Sequence, residues 1–227
     1  MLVELLAGPE CPHANEALAE LKRKASVLLP EAEVVERQVA DAEQAAEIGM
    51  AGSPSLRIDG RMFDSIGVGS GQLACRSWPE SEGVPPEWWL EAALLWARRP
   101  RHLLFLCRAN SARSQLAEAI ARSLAPGGLR VSSAGSEPTE LRPEVGEVLA
   151  EIGLDSASQR AKPIDDVELD SVDAVITLCS EEICPLFPRP VAQLHWALAD
   201  PAAGGGLEAF RRCRDELRQR LAVLLQS

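Results

Sequence analysis

Cys107, Asn110, Arg113 and Ser114 fall within the run CRANSARS, with five residues between the thiol and the guanidinium. A cysteine is a nucleophile as its thiolate, and a nearby positive field lowers its pKa so that the thiolate exists at neutral pH. An arginine fork can clamp two oxygens of a tetrahedral oxyanion. The intervening residues, Arg108, Ala109, Asn110, Ser111 and Ala112, form a loop whose backbone N–H groups can line a nest for such an anion where a helix begins. Ser114 is placed to hydrogen-bond the sulfur, and Asn110 to hold the loop by side-chain-to-backbone bonds. Core packing would account for one strand-end cysteine. It does not account for Cys, Asn, Arg and Ser at these four offsets.

Thiolate attack on an oxyanion can lead to hydrolysis or to reduction, and reduction needs two electrons from further thiols. The run LCSEEICP supplies Cys179 and, five residues on, Cys184. A flexible segment between them can carry one thiol to Cys107 and then present it to the other. Core packing competes for Cys179, since a buried cysteine is often a small hydrophobe. Cys213, in the charged run RRCRDELRQR, reads as structural. The three histidines, His13, His102 and His195, stand apart from any closely spaced Cys/His doublets, so no metal is expected.

These residues need a scaffold that ends a strand where a helix starts. Leu103–Leu106 is apolar and reads as a buried strand, followed by a helix over about 111–124, a strand over 129–133, a helix over 142–152, a strand over 173–178 and a long helix over about 205–225. Strands alternating with helices predict an α/β fold with a parallel sheet, whose ligands sit at the strand C-termini. Upstream, the order is strand (2–7), helix (about 12–29), strand (33–39), short helix (40–50), then two strands around an Asp59-Gly60 hairpin turn and a helix opened by Pro86. A Gly/Ser-rich loop spans Gly67 to Gly71. The run RRPRH at 98–102 reads as a linker, which predicts two domains, 1–98 and 99–227.

Of the 227 residues, 46% are hydrophobic and 25% charged, as in globular proteins. The formal net charge of −11 argues against a general nucleic-acid surface. Residues 1–98 carry 8 Lys+Arg against 16 Asp+Glu, and residues 99–227 carry 15 against 18. An anionic substrate therefore needs a local cradle, with the second half its better place. No apolar run approaches the length of a membrane span, and the start lacks the basic region of a signal peptide, so a cytoplasmic protein without membrane partners is expected. Six cysteines in such a chain point to thiol chemistry rather than staples.

LFLCRANSARSQLAEA resembles the phosphate-binding loop of the low-molecular-weight protein tyrosine phosphatases and of the thioredoxin-coupled arsenate reductases built on the same fold. SSAGSEPT at 132–139, VITLC at 175–179 and HWALADPA at 195–202 extend the resemblance over residues 102–227. Arg108 departs from the small or hydroxylated residue usual after the nucleophile. The resemblance to the reductases implies arsenylation of Cys107, attack by Cys179 with release of arsenite, and attack by Cys184. The resulting disulfide is reopened by thioredoxin or a similar thiol, external or tethered, with no bound cofactor. Asp200, before Pro201, would be the general acid. The chain has no tyrosine, whereas the phosphatases usually carry tyrosines beside the site, which favours arsenate as substrate. Some such reductases bind potassium through positions matched here by Asn110, Glu118 and Ser133. Lys162 stands where an acidic ligand would be, so its ammonium is expected to replace the cation. Two alternatives remain open: a low-molecular-weight phosphatase with incidental cysteines, and an arsenite-binding or thiol-sensing protein.

The first domain resembles thioredoxin or glutaredoxin, with Cys11 in GPECPHA at the nucleophile position before a helix and Pro54 at that of the fold's cis-proline. Ala14 fills the slot of the second cysteine of C-x-x-C, so Cys75 is the remaining candidate partner. A tethered reductant, a monothiol module using glutathione, and a docking or dimerisation module all stay open for this domain.

Overall fold

The structure, a computed structural model, describes residues 1–63, 73–76, 78, 81, 83–179 and 186–225. The Gly67–Gly71 loop and Cys184 lie outside the described residues. The chain divides into two compact units, Met1–Arg98 and Arg99–Ser227. Among the described residues no helix is long and apolar enough to cross a membrane.

The first unit runs β1 (Leu2–Ala7), α1 (Ala14–Leu28), β2 (Glu33–Gln38), α2 (Ala42–Glu47), β3 (Ser55–Ile58), β4 (Arg61–Met62) and α3 (Glu87–Ala97). Its sheet order is β2-β1-β3-β4, with β1 parallel to β2 and antiparallel to β3. β1 is the buried centre, and the one charge it carries is matched across the ladder. Glu4 lies opposite Arg57 and accepts its Nε and Nη2 at 2.6 and 2.7 Å. Those bonds hold the Glu4 carboxyl below its usual range against the opposing effect of burial. Asp59 and Gly60 turn with φ of 45° and 79°, the two positive values a two-residue hairpin needs. α2 is shorter than its sequence pattern. Asp41 caps it by accepting Gln44 N–H at 2.9 Å, and Gly49, at φ 72°, follows its end.

The second unit runs β5 (His102–Leu106), α4 (Arg113–Leu124), β6 (Arg130–Ala134), α5 (Pro143–Ala150), β7 (Ala174–Thr177), β8 (Ala192–His195) and α6 (Gly206–Leu224). All strand pairs are parallel, in the order β6-β5-β7-β8. β5 is buried throughout because strands flank it and helices cover it. Its neighbours β6 and β7 lie on opposite sides, so the chain reverses direction across the sheet at the C-terminal end of β5. That crevice is where open α/β sheets bind ligands, and Cys107 is the next residue.

Candidate active site

The loop after β5 is held from outside by its carbonyls. Arg108, Ala109 and Ser111 oxygens accept the N–H groups of Glu137, Thr139 and Arg142 at 2.9, 3.0 and 3.0 Å. In a trans peptide the next N–H points opposite to each carbonyl. The amides of Ala109, Asn110 and Ala112 are thereby directed away from the 137–142 segment, into the loop. Asn110 has φ 44°, the left-handed conformation that asparagine tolerates and that curls a loop into an anion nest. Ala112 caps α4 without a side-chain bond, which leaves the first helical amides to the site.

Asn110 holds the loop differently from the sequence expectation. Its Nδ2 donates to two hydroxyls, Ser114 at 2.8 Å and Ser133 at 2.9 Å. Only its Oδ1 meets a backbone group, Lys162 N–H at 2.9 Å, while also accepting Gln115 Nε2 at 3.0 Å. With the residue fully buried, neutral side-chain partners are as effective as backbone ones. Ser133 donates to Glu118 Oε2, and Lys162 Nζ reaches Glu118 Oε2 at 3.1 Å and Ser133 Oγ at 3.3 Å. Lys162 therefore ion-pairs with Glu118, which also pairs with Arg122. Among the described residues no group of three or more His, Cys, Asp or Glu is arranged to hold a metal.

Cys107 is buried, and its sulfur lies 2.8 Å from Ser114 Oγ. Its thiol is held well below the ordinary range. A hydrogen bond from Cys179 is the main cause, helped by the Ser114 hydroxyl and amide and by the Arg113 charge, and opposed by burial. The Cys179 thiol is pushed up by the same bond and by its own burial. One of the pair is thus the nucleophile and the other its proton-bearing neighbour. Cys179 reaches this position because β7 pairs with β5. Leu178 N–H continues that ladder to Leu106 O at 2.8 Å, and Arg108 N–H then donates to Cys179 Sγ at 3.2 Å.

Arg113, the first residue of α4, has a largely buried guanidinium that bridges to the chain after β8. Nη1 donates to Leu198 O at 3.1 Å and Nη2 to Asp200 Oδ2 at 3.2 Å. β8 brings Asp200 there, with Trp196 and Leu198 N–H bonded to Thr177 and Leu178 O. Arg108 pairs with the exposed Glu137, at 2.7 Å. Cys213 is buried on α6, and desolvation pushes its thiol up to about 12, which keeps it a poor nucleophile.

Sequence reasoning passed over Gly135. A Cβ there would lie 2.5 Å from Arg108 O, 2.7 Å from Cys107 O and 2.8 Å from Asn110 N, so the residue must be glycine for β6 to support the loop. Its place in the SSAGS run was the available signal. In the first unit, Cys11 is half-buried and Cys75 exposed, and both line one cleft. Ser53 also lines it, whereas Pro54 itself is buried behind.

The geometry is thus an anion nest with a thiolate at its floor, an arginine clamp, an acid at its rim and a second thiol against the first. An arsenate reductase of Bacillus subtilis (strain 168) is 38% identical over 126 residues, 52% of this chain and 91% of that protein. A glutaredoxin arsenate reductase of Synechocystis sp. is 35% identical over 128 residues, 55% of this chain and 96% of that protein. A solved arsenate reductase in its oxidised state superposes with a TM-score of 0.50 at 32% identity, covering 55% of this chain and 96% of that one. Residues 102–227, which carry every element of the nest, match the low molecular weight phosphotyrosine protein phosphatase family, and the chain belongs to it.

Proposed function

We propose that this chain reduces arsenate to arsenite through a thiol cascade. The observation that carries the reading is Cys179, whose sulfur accepts the amide of Arg108, the residue next to Cys107, at 3.2 Å, since hydrolysis of a cysteine-bound phosphoryl group needs no second thiol beside the nucleophile. The Cys107 thiolate attacks arsenic as Asp200 gives a proton to a departing oxygen, which leaves as water. Cys179 then attacks the Cys107 sulfur. The electron pair of the S–As bond stays on arsenic, arsenite departs, and a Cys107–Cys179 disulfide remains. Cys184 attacks Cys179, freeing Cys107 and leaving a Cys179–Cys184 disulfide for an external thiol such as thioredoxin, or for the first unit, to reopen.

In this reading residues 1–98 are a thioredoxin-like domain and residues 99–227 the catalytic domain. The first assignment is supported by a central β1 between a parallel and an antiparallel neighbour, with Cys11 in the loop that leads to α1. Lys162, on Glu118 and Ser133, does the work of a monovalent cation. A cascade that must return to free thiols suits a reducing compartment such as the cytoplasm.

The family fold and the Arg113–Asp200 pair equally suit phosphate ester hydrolysis. Cys179→Ser separates the two. Reduction predicts that multiple turnover of arsenate is abolished in this variant, whereas hydrolysis of an aryl phosphate that survives the change with no arsenate consumption by the unaltered chain overturns the reductase reading.

A further inference from the structure

The first unit holds its own two thiols against one cavity. A cleft of about 380 Å3 is lined by Cys11 and Cys75, with Gly8, Pro9, Ser53 and Leu73 between and around them. Their segments are tied by a short relay of hydrogen bonds. Cys11 N–H donates to Gly8 O at 3.2 Å, and Gly8 N–H donates to Ser53 Oγ at 3.0 Å. Ser53 in turn pairs in parallel with Cys75, giving its N–H to Ala74 O and taking that of Arg76, both at 2.9 Å. The Cys11 loop is fixed on its other side by Gly83. At φ 81° that residue admits the His13 ring where a Cβ would lie 2.2 Å from it. Cys11 is half-buried within the cleft and Cys75 exposed at its edge. Ala14, at the first position of α1, excludes a partner on the helix itself.

We propose that Cys11 and Cys75 form a reversible disulfide across this cleft, so that the first unit is a dithiol exchanger whose substrate is a disulfide. The Cys11 thiolate attacks one sulfur of the incoming disulfide, whose S–S bond breaks and whose second sulfur leaves as a thiolate. Cys75 then loses its proton to solvent and attacks the Cys11 sulfur, expelling the first substrate sulfur. The substrate gains two electrons, its thiolates take protons from solvent, and the pair Cys11–Cys75 is oxidised. The incoming disulfide is either a small external one or the Cys179–Cys184 disulfide, and the second source rests on the function proposed above.

Two arms, both on the full chain, test this. In the first, a Cys107→Ser chain is incubated with oxidised glutathione and its disulfides are mapped by peptide mass spectrometry. A Cys11–Cys75 cross-link is expected, replaced in Cys75→Ser by a lasting glutathione adduct on Cys11. Separate adducts or free thiols at both positions, with no cross-link at any glutathione ratio, overturn the proposal. In the second, the unaltered chain meets arsenate with no other reductant. An arsenite burst of about two per chain, falling twofold in Cys75→Ser, is expected if the internal disulfide is a substrate, since each dithiol supplies one electron pair. An equal burst in both chains overturns the internal source. No arsenite from any chain refutes the reductase reading, while the glutathione arm still decides the disulfide.

Discussion

The Cys179 sulfur accepts the amide of Arg108, the residue next to Cys107, at 3.2 Å, and the Cys179 thiol is the main influence holding the Cys107 thiol below its ordinary range. The second thiol therefore sits at the lip of the anion nest before any substrate arrives. A resting contact of this kind does two things. It stabilises the Cys107 thiolate, and it removes the search that an incoming thiol would otherwise make.

The first role predicts a pH effect. Cys179→Ala deletes the largest influence holding the Cys107 thiol low and leaves burial, which acts the other way. The Cys107 thiol therefore titrates at higher pH, and the midpoint of its alkylation rate against pH moves upward. Iodoacetamide labelling of Cys107, followed by mass spectrometry, measures it. An unchanged midpoint means that Ser114 and Arg113 alone suffice.

Gly135→Ala places a methyl against backbone atoms of Cys107, Arg108 and Asn110, none of which can rotate aside. The loop must move, at a cost of about 1–3 kcal/mol if overpacking here resembles other cores. Oxyanion affinity is the sensitive readout, because displacement of the nest amides disperses the donors. Protection of Cys107 from alkylation by arsenate or phosphate should weaken by roughly tenfold or more, with the secondary structure retained by circular dichroism.

How much of this was legible in residue order differs between the parts. CRANSARS could be read because strand, nest, clamp and helix start are local and share one run. β8 could not. It has four residues, alternates Ala192 and Leu194 inside with Gln193 and His195 outside, and gains its identity only by pairing with β7. Gly135 resisted for a related reason, since what excludes a side chain there is a loop some 25 residues earlier. Asn110 was recognisable as a loop-holding residue, but its hydroxyl partners come from α4 and β6, a tertiary arrangement no spacing rule contains. The contact of Cys179 with Cys107 was foreseeable in kind, as both follow adjacent strands of a parallel sheet.

Lys162→Met tests the cluster behind the nest. Glu118 is buried, and its charge is shared between Lys162 and Arg122. Removing one partner of a buried pair typically costs about 3–5 kcal/mol, and the surviving Arg122 should reduce that to roughly 1–3. Chemical denaturation should show this loss. The unaltered chain should have the same midpoint in potassium and sodium chloride at equal ionic strength, while the variant, with the ammonium gone, should be more stable in one salt than the other.

Asp200→Asn keeps the position and removes the proton. Asp200 accepts Arg113 Nη2 on Oδ2 at 3.2 Å and the Ala202 amide on Oδ1 at 3.0 Å, and Asn, with one oxygen, keeps one of these two contacts, so the rim of the site loosens without losing its anchor. What is lost is a proton for the departing oxygen, a contribution of about 10²–10⁴ in rate for a positioned acid. Single-turnover arsenylation should slow by that order while arsenate protection of Cys107 against alkylation stays within about threefold, because binding depends on the nest and Arg113. An aryl phosphate with a good leaving group demands less protonation and should lose correspondingly less. If arsenate and the activated ester slow by the same factor, Asp200 acts by holding Arg113 in place, and the proton comes from elsewhere.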